Sequence, residues 1–528
     1  MLTRRNEAIL WLTLLLVAAF FRLAPIAASL PYIDYVDEGY VLHQTIHLLN
    51  QRTFDTKWYG YPSLPAYLTA AALTAWNPIY RHAHGHSFRR DLPREEEAQT
   101  SSGYNYDLLS PPELIVAGRV VAAGLSIATV ILAGVIGARL RGRVAGLVAM
   151  LITAVCPALV LRGSNVIVDT FAAFFALLAI YFCERVRPND TWNAAAAGLS
   201  AGLAFASKYT AGAVFAAVIT VIWALPATAR FRVRLGLLAT AGLLVGIVLG
   251  APATIFNFQA ALHDVAITAG NYQIINSKPG YFGQAVGALE LGWLLALAGC
   301  AGLVLMFRRP STRSTALGWS LFAVLLLAPF VGRPFQPFRN LLPLVPPFCI
   351  AAAIAFSDLI DWGRRATHSR ARLTLAIVLI SAAVVSSSWS SFQPVQQRMM
   401  HRDSRVQAIA WLQQHATKEE RVLGVREFAI LPGEWKRLVA NTTVVSWCDA
   451  PGSLEPDKFD YVVTGDFDLR HAADPQTASA CLARWKERTA LLTPAAEFGS
   501  GPTYVVPYVW RSNDERIVIL RSRRAKSD

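Results

Sequence analysis

AILWLTLLLVAAFFRLAPIAASLPYIDYVDEGY, residues 8–40, sets an apolar run directly before three carboxylates, Asp34, Asp37 and Glu38. The run from 8 to 28 has the ~17–25 residues a helix needs to cross a hydrocarbon layer about 30 Å thick. It is not alone. The 528 residues are 54% hydrophobic and only 16% charged, with mean hydropathy +0.38, too apolar for an ordinary soluble protein. Eleven apolar segments read as membrane spans: 8–28, 114–137, 144–161, 166–183, 193–206, 208–225, 235–256, 285–307, 315–331, 341–357 and 371–390. Arg4 and Arg5 before the first, and Ala27, Ala28 and Ser29 after it, also fit a signal peptide. With so many later spans an uncleaved helix is expected.

Every second short loop is basic. Arg4 and Arg5, Arg139, Arg141 and Arg143, Arg185 and Arg187, Arg230, Arg232 and Arg234, Arg308, Arg309 and Arg313, and Arg364, Arg365, Arg370 and Arg372 fall in alternate connections. Basic residues are retained on the cytoplasmic side, so the N-terminus is expected inside and everything after 391 outside, in a cytoplasmic (inner) membrane. The apolar stretch YPSLPAYLTAAALTAW, 61–76, would invert this if it crossed. The alternation predicts instead a juxtamembrane or re-entrant helix, leaving 29–113 as one external loop with the carboxylates outside. The net charge of +14 then belongs to loops facing anionic lipid, and a nucleic-acid partner is excluded.

The chain divides into a membrane region, 1–400, and a small soluble α/β region, 401–528. In the latter, HRDSRVQAIAWLQQHA predicts an amphipathic helix capped by Asp403 or Ser404. RVLGV, NTTVVSW, FDYVVTG, TYVVPYV and RIVIL predict strands around the helical DPQTASACLARWKERTA. Cys156, Cys183, Cys300 and Cys349 lie in spans as small packing residues. Cys448 and Cys481, on the oxidising side, leave two readings, a disulfide or two buried thiols.

DFD at 466–468 has the spacing of a metal-holding Asp-x-Asp but reads as an ordinary turn after a strand. His43 and His47, at i and i+4, have the spacing of zinc ligands without the neighbouring glutamate of a zinc protease, and HAHGH at 82–86 reads as a solvated loop. No metal or cofactor is expected. What remains is a set of ionisable and aromatic groups at the external ends of spans: Asp37, Glu38, Lys57, Tyr59, Tyr61, Arg119, Asp169, Lys208, Lys278 and Arg339. Such groups are costly beside lipid and point to function. Single cations there also serve as interfacial anchors. Carboxylates that take a proton, facing cations that hold a phosphate, describe transfer of a group from a lipid phosphate to a hydroxyl.

DEGYVLHQTIHLLNQRTFDTKWYGYPSLPAYL, AGRVVAAG, SNVIVDTFAAFFALLAIYF, GLAFASKYTAG and FRNLLPLVPPF together resemble the signatures of the GT-C membrane glycosyltransferases, in particular the protein O-mannosyltransferase and lipid A aminoarabinose transferase group. The resemblance runs over about 8–357. It implies a GT-C fold: an all-α polytopic membrane domain with a small α/β extracytoplasmic domain. It also implies inverting transfer of a sugar from a polyprenyl-phosphate carrier to a hydroxyl of a protein, lipid or polysaccharide on the non-cytoplasmic face. Carried over by residue, Asp37 is the general base and Glu38 its partner, Lys208 and Arg339 hold the carrier phosphate, and Asp169 is a second acid near the acceptor. The family's basic residue before proline is here Tyr61 before Pro62, so Lys57 or Lys278 is expected to supply that phosphate contact. The insertion 81–112 has no assigned counterpart in the family and is expected to bear on the acceptor site. Two other classes remain open: a transporter or flippase of lipid-linked sugar, which needs ionisable groups at mid-span, and an inactive glycan-binding scaffold, which has no need of Asp37 and Glu38.

Overall fold

The computed structural model describes residues 4–92, 112–187, 191–274, 280–365, 370–400, 403–425, 438, 440–445, 458–465, 475–499 and 516–522. The first span is α1 (Arg4–Leu23). The loop after it carries α2 (Val36–Gln51) and α3 (Leu64–His84). The bundle continues with α4 (Pro112–Arg141), α5 (Arg143–Val155), α6 (Pro157–Gly163), α7 (Val168–Cys183), α8 (Thr191–Ser207), α9 (Val214–Ala224), α10 (Ala229–Gly250), α11 (Phe258–Ile274), α12 (Trp293–Arg308), α13 (Arg313–Leu327), α14 (Val345–Arg365) and α15 (Arg370–Met400).

Among the described residues six helices are long and apolar enough to cross a membrane, or seven if the bent pair α5 and α6 is one span. The expectation of eleven spans is not met at that standard, for physical reasons. The segment at 144–161 breaks at Cys156 and Pro157 with a 55° bend. Proline supplies no N–H to continue a helix. The segments at 166–183, 208–225 and 285–307 form shorter apolar helices of 10–17 residues. α8 is 17 residues of mostly Ala, Gly and Ser, small rather than strongly apolar. α3, which takes up 64–76 of the apolar stretch 61–76, is not among the six.

The break between α5 and α6 would leave helix-end carbonyls bare, and side chains from elsewhere supply them. Arg22, fully buried near the end of α1, donates from Nη2 to Thr153 O (3.1 Å), from Nη1 to Ala154 O (2.9 Å) and from Nε to Ser126 Oγ (2.8 Å). Ser391 Oγ donates to Val155 O at 2.8 Å.

α8 and α10 pack through glycines spaced four apart, Gly198 and Gly202 against Gly242 and Gly246. A Cβ on Gly198 would stand 1.8 Å from Ala239 O, on Gly202 2.2 Å from Leu243 O, and on Gly242 2.2 Å from Ala195 O. Small residues let backbones approach where lipid offers no hydrophobic drive. Because the obstacle is backbone, Gly202→Val should cost roughly 3 kcal/mol or more, at the upper end of over-packing. Gly236→Ala, on the same α10 with nothing within 4 Å, should be neutral or stabilising. Melting in detergent checks the pair; equal midpoints for the two variants would refute the close contact.

Beyond the bundle, α16 (Ser404–His415) is capped by Asp403, whose side chain accepts from Arg405 N–H. A five-stranded sheet follows, with β1 (Arg421–Val425), β2 (Asn441–Val445), β3 (Tyr461–Gly465), β4 (Thr493–Phe498) and β5 (Ile517–Arg521) in the order β2-β1-β3-β5-β4. β1 is parallel to β2 and β3; β5 is antiparallel to β3 and β4. Alternation decides the faces. Val422, Tyr461, Val463, Ile517 and Ile519 pack on Ala408, Ile409 and Leu412 of α16. Leu423, Val462 and Leu520 face the other way, in a cluster with Trp485 of α17 (Pro475–Thr489). β4 was not expected, because TPAAEF has few β-formers. Cys481 is disulfide-bonded; Cys448, the expected strand at 503–509 and DFD at 466–468 lie outside the described residues.

Candidate active site

α2 opens on Tyr35, extended at φ −135° and ψ 134°, with Glu38 at the third helical position. Glu38 Oε2 accepts N–H from Asp34 (2.8 Å) and Tyr35 (3.3 Å), satisfying donors that a helix start otherwise leaves free. Adjacent helical residues diverge by about 100°, so Asp37 and Glu38 face different neighbours. Glu38 turns into the bundle, where Arg119 of α4 grips it with Nε on Oε1 (2.9 Å) and Nη2 on Oε2 (2.8 Å), and Val166 N–H reaches Oε1 at 3.1 Å. Both side chains are fully buried. Arg119 Nη1 also donates to Ile26 O and Ala28 O, tying the chain after α1 to the same knot.

Asp37 faces Arg339, whose Nη1 lies 2.6 Å from Oδ2 while donating to Tyr35 Oη at 2.8 Å. Oδ2 is in ionic contact but has no aligned hydrogen-bond donor among the described residues. Close by, Lys208 Nζ contacts Asp169 Oδ1 at 2.5 Å and Asn340 Oδ1 at 2.7 Å, and Asn340 Nδ2 donates to Tyr281 Oη at 3.1 Å. Asp169 Oδ2 is likewise buried without a hydrogen bond. Tyr61, an electrostatic neighbour of Asp37 and Arg339, belongs to an aromatic trio, its ring edge-on to Tyr40 (5.7 Å) and Trp58 (5.5 Å), which stack at 4.8 Å.

Four of the expected ions, Asp37, Arg339, Asp169 and Lys208, thus converge, and Glu38 with Arg119 forms a separate pair behind them. Tyr59 is elsewhere: its Oη donates to Asp55 Oδ1 (2.6 Å) and its N–H to Asp264 Oδ2 (2.8 Å). Lys57 is exposed at a turn with φ 58°, and Lys278 lies outside the described residues. His43 and His47 lie one turn apart on α2. Among the described residues no three His, Cys, Asp or Glu side chains gather to hold a metal.

At the far end of the bundle Arg141 pairs with Asp358 (2.8 Å) and Asp361 (2.6 Å), and Arg309 joins Asp358. Arg119 and Arg141 are roughly 33 Å apart along α4 at about 1.5 Å per residue. The carboxylate site and the basic loops therefore occupy opposite ends, one membrane thickness apart.

The structure of ArnT from Cupriavidus metallidurans bound to undecaprenyl phosphate superposes with a TM-score of 0.56 over 99% of each chain, at 13% identity. The chain has the GT-C fold. The apo form of that ArnT gives 0.54 over 98% of each chain, again at 13% identity. The oligosaccharyltransferase of Archaeoglobus fulgidus tethered to an acceptor peptide gives 0.53 at 13%, covering 95% of this chain and 73% of that one. A family model for dolichyl-phosphate-mannose-protein mannosyltransferase matches residues 113–256. No curated protein matches by sequence. Arg119, Asp169 and Lys208 of this GT-C chain fall inside the matched segment; Asp37, Glu38 and Arg339 fall outside it.

Several members of the site carry no mark in the sequence. Tyr35 and Asn340 border expected residues, and no local pattern distinguishes them. Arg398 at the end of α15, which pairs with the expected carboxylate Asp34, has no mark either. Arg162 makes a buried two-pronged pair with Glu290, both contacts 2.7 Å; only its place at a span end could have drawn notice.

Burial pushes the Asp37 carboxyl above its ordinary value against the pull of Arg339, with Asp169 adding to the rise and Lys208 opposing it. A carboxyl acting as base must be ionised, so turnover should fall on acidification with a limb above about pH 4, the unperturbed value. Stability runs the other way. With the folded pKa above the unfolded one, the contribution of this group is complete below about pH 4 and is lost as pH rises through the folded value. A pH series of turnover and melting tests both; an acid limb at or below pH 4 would refute the shift.

Proposed function

We propose that this chain transfers a sugar from a polyprenyl-phosphate carrier to a hydroxyl acceptor on the non-cytoplasmic face of the inner membrane, with inversion at the anomeric carbon. The observation that carries the reading is the buried Asp37 carboxylate against Arg339, with one oxygen lacking a hydrogen-bond donor. A hydroxyl with a pKa near 16 is a weak nucleophile until a base takes its proton; Asp37 is the carboxylate for that step, held on its Oδ2 side by the ionic contact with Arg339. The acceptor oxygen bonds to the anomeric carbon as the bond from that carbon to the phosphate oxygen breaks. The proton passes to Asp37, and the carrier leaves as a phosphate monoester.

Arg339 is the cation for the developing phosphate charge, and Lys208 acts beside it, oriented by Asp169 and Asn340. The reading requires no resident cofactor. It is supported by the GT-C fold and by the undecaprenyl phosphate bound in the ArnT structure. The placement of basic loops at the opposite end supports the orientation.

The full chain in vesicles, given labelled polyprenyl-phosphate sugars and protein, lipid or polysaccharide acceptors, should release free carrier phosphate only when an acceptor is present. Turnover confined to nucleotide sugars would overturn the proposal. A cysteine at Ser512 should react with an impermeant thiol reagent from outside intact cells, and one at Arg232 only after lysis; the reverse pattern would overturn the assigned face.

A further inference from the structure

We infer that Arg398, at the end of α15, and Arg405, in the first turn of α16, are positioning residues for the segment that carries Asp37, and that the C-terminal domain acts on turnover through them. The inference rests on the proposed function and adds a control that the function alone does not require.

Residues 32–38 are held from two sides. From the bundle, Arg119 and Val166 grip Glu38, as described. From the C-terminal side, Arg398 Nη2 pairs with Asp34 Oδ2 and donates to Asn165 Oδ1 at 3.1 Å, while its Nη1 donates to Ser164 Oγ at 3.3 Å. Arg405 Nη2 donates to Ile33 O at 3.3 Å, and its guanidinium lies over the Tyr32 ring, 4.1 Å from the centroid. Asp403 fixes that guanidinium with contacts of 2.9 Å and 2.6 Å. Arg398 and Arg405 are both buried, at 7% and 2% side-chain exposure, so they are not mobile surface charges.

Geometry turns these contacts into coupling. Asp34 and Asp37 are three residues apart, and the backbone between them is clamped by Glu38, so a shift at Asp34 moves Asp37 relative to Arg339. Arg405 lies in the first turn of α16, whose Ala408, Ile409 and Leu412 pack into the sheet. The sheet is thereby connected to the base through one helical turn. Charge-assisted contacts of planar guanidinium depend on its fork, so lysine keeps the charge at these positions and loses the geometry.

The test uses the full chain in vesicles with a polyprenyl-phosphate sugar as donor. Arg398→Lys and Arg405→Lys should each lower kcat at least about tenfold, with KM for the donor within about twofold and melting close to wild type, because the loss is of alignment rather than of binding. Arg398→Ala should recover part of its turnover in guanidinium chloride. Amide exchange of residues 30–38 should speed up in the lysine variants while that of 120–130 does not change. Wild-type kcat in folded variants, or exchange at 30–38 equal to wild type, would overturn the inference. Asp37→Asn, assayed alongside, tests the proposed function separately, since it removes the base and leaves both arginines in place.

Discussion

Asp37→Asn is expected to lower turnover roughly 10²–10⁴-fold, the usual contribution of a positioned general base, while the protein still folds. Two features of the site set this expectation. Asp37 is in ionic contact with Arg339 but accepts no aligned hydrogen bond at Oδ2 among the described residues, so it is bound less fully than Glu38 is. Its pKa is raised by burial, which means that its ionised form is held less well by the folded chain than by the unfolded one. A neutral amide of the same shape keeps the packing and leaves Arg339 its contact with Tyr35 Oη, but it breaks the buried ion pair with Arg339 from one side, so a lowered melting midpoint is expected beside the loss of turnover. Single-turnover release of carrier phosphate, measured beside a melting curve, separates chemistry from folding. If Asp37→Asn kept most of its activity, the role of base would pass to Asp169, which among the described residues is the other buried carboxylate with an oxygen lacking a hydrogen bond.

Glu38→Gln should show the opposite balance, with folding lost before chemistry. The sequence pairs Glu38 with Asp37 as a helper in proton transfer, and on that basis its loss should be milder. The geometry gives it a different duty, since it accepts from three backbone N–H groups and from both prongs of Arg119. Breaking a buried pair from one side leaves an uncompensated guanidinium and costs about 3–5 kcal/mol, a large share of a typical stability of about 5–15 kcal/mol. Arg119→Met should be comparably damaging. Combining it with Glu38→Leu should recover only part of the loss, because Asp34, Tyr35 and Val166 would still lack an acceptor. Folded yield and melting midpoint in detergent measure this. A Glu38→Gln protein with wild-type melting and reduced kcat would restore the helper role.

These two residues show what the sequence makes legible. An acidic pair just past an apolar run, and Asp169, Lys208 and Arg339 at other span ends, stand out because charge beside lipid demands a reason. Their partners do not stand out, because each pairing spans a large sequence separation: Arg339 meets Asp37, Arg398 meets Asp34, and Arg162 meets Glu290. No local pattern encodes such contacts. Adjacent Asp37 and Glu38 look equivalent as letters, and only the rotation of a helix turns them to different neighbours. Among the described residues the long apolar helices number fewer than the eleven expected spans, for a related reason. Apolar runs report what can face lipid, but whether a run is one straight helix depends on breaks such as Cys156-Pro157, whose bare carbonyls are accepted because Arg22 and Ser391 come from elsewhere to meet them.

Arg22 therefore imposes an order on biosynthesis. It is made within the first span, yet its acceptors are Ser126 on α4 and the carbonyls of Thr153 and Ala154 on α5, which leave the ribosome more than a hundred residues later. Arg22 sits in the last turn of α1, where an arginine can keep its guanidinium at the interface, so α1 can wait in that position until those partners arrive. The last turn of the first helix therefore completes its contacts only once α4 and the broken helix are in place, which ties the end of α1 to their assembly.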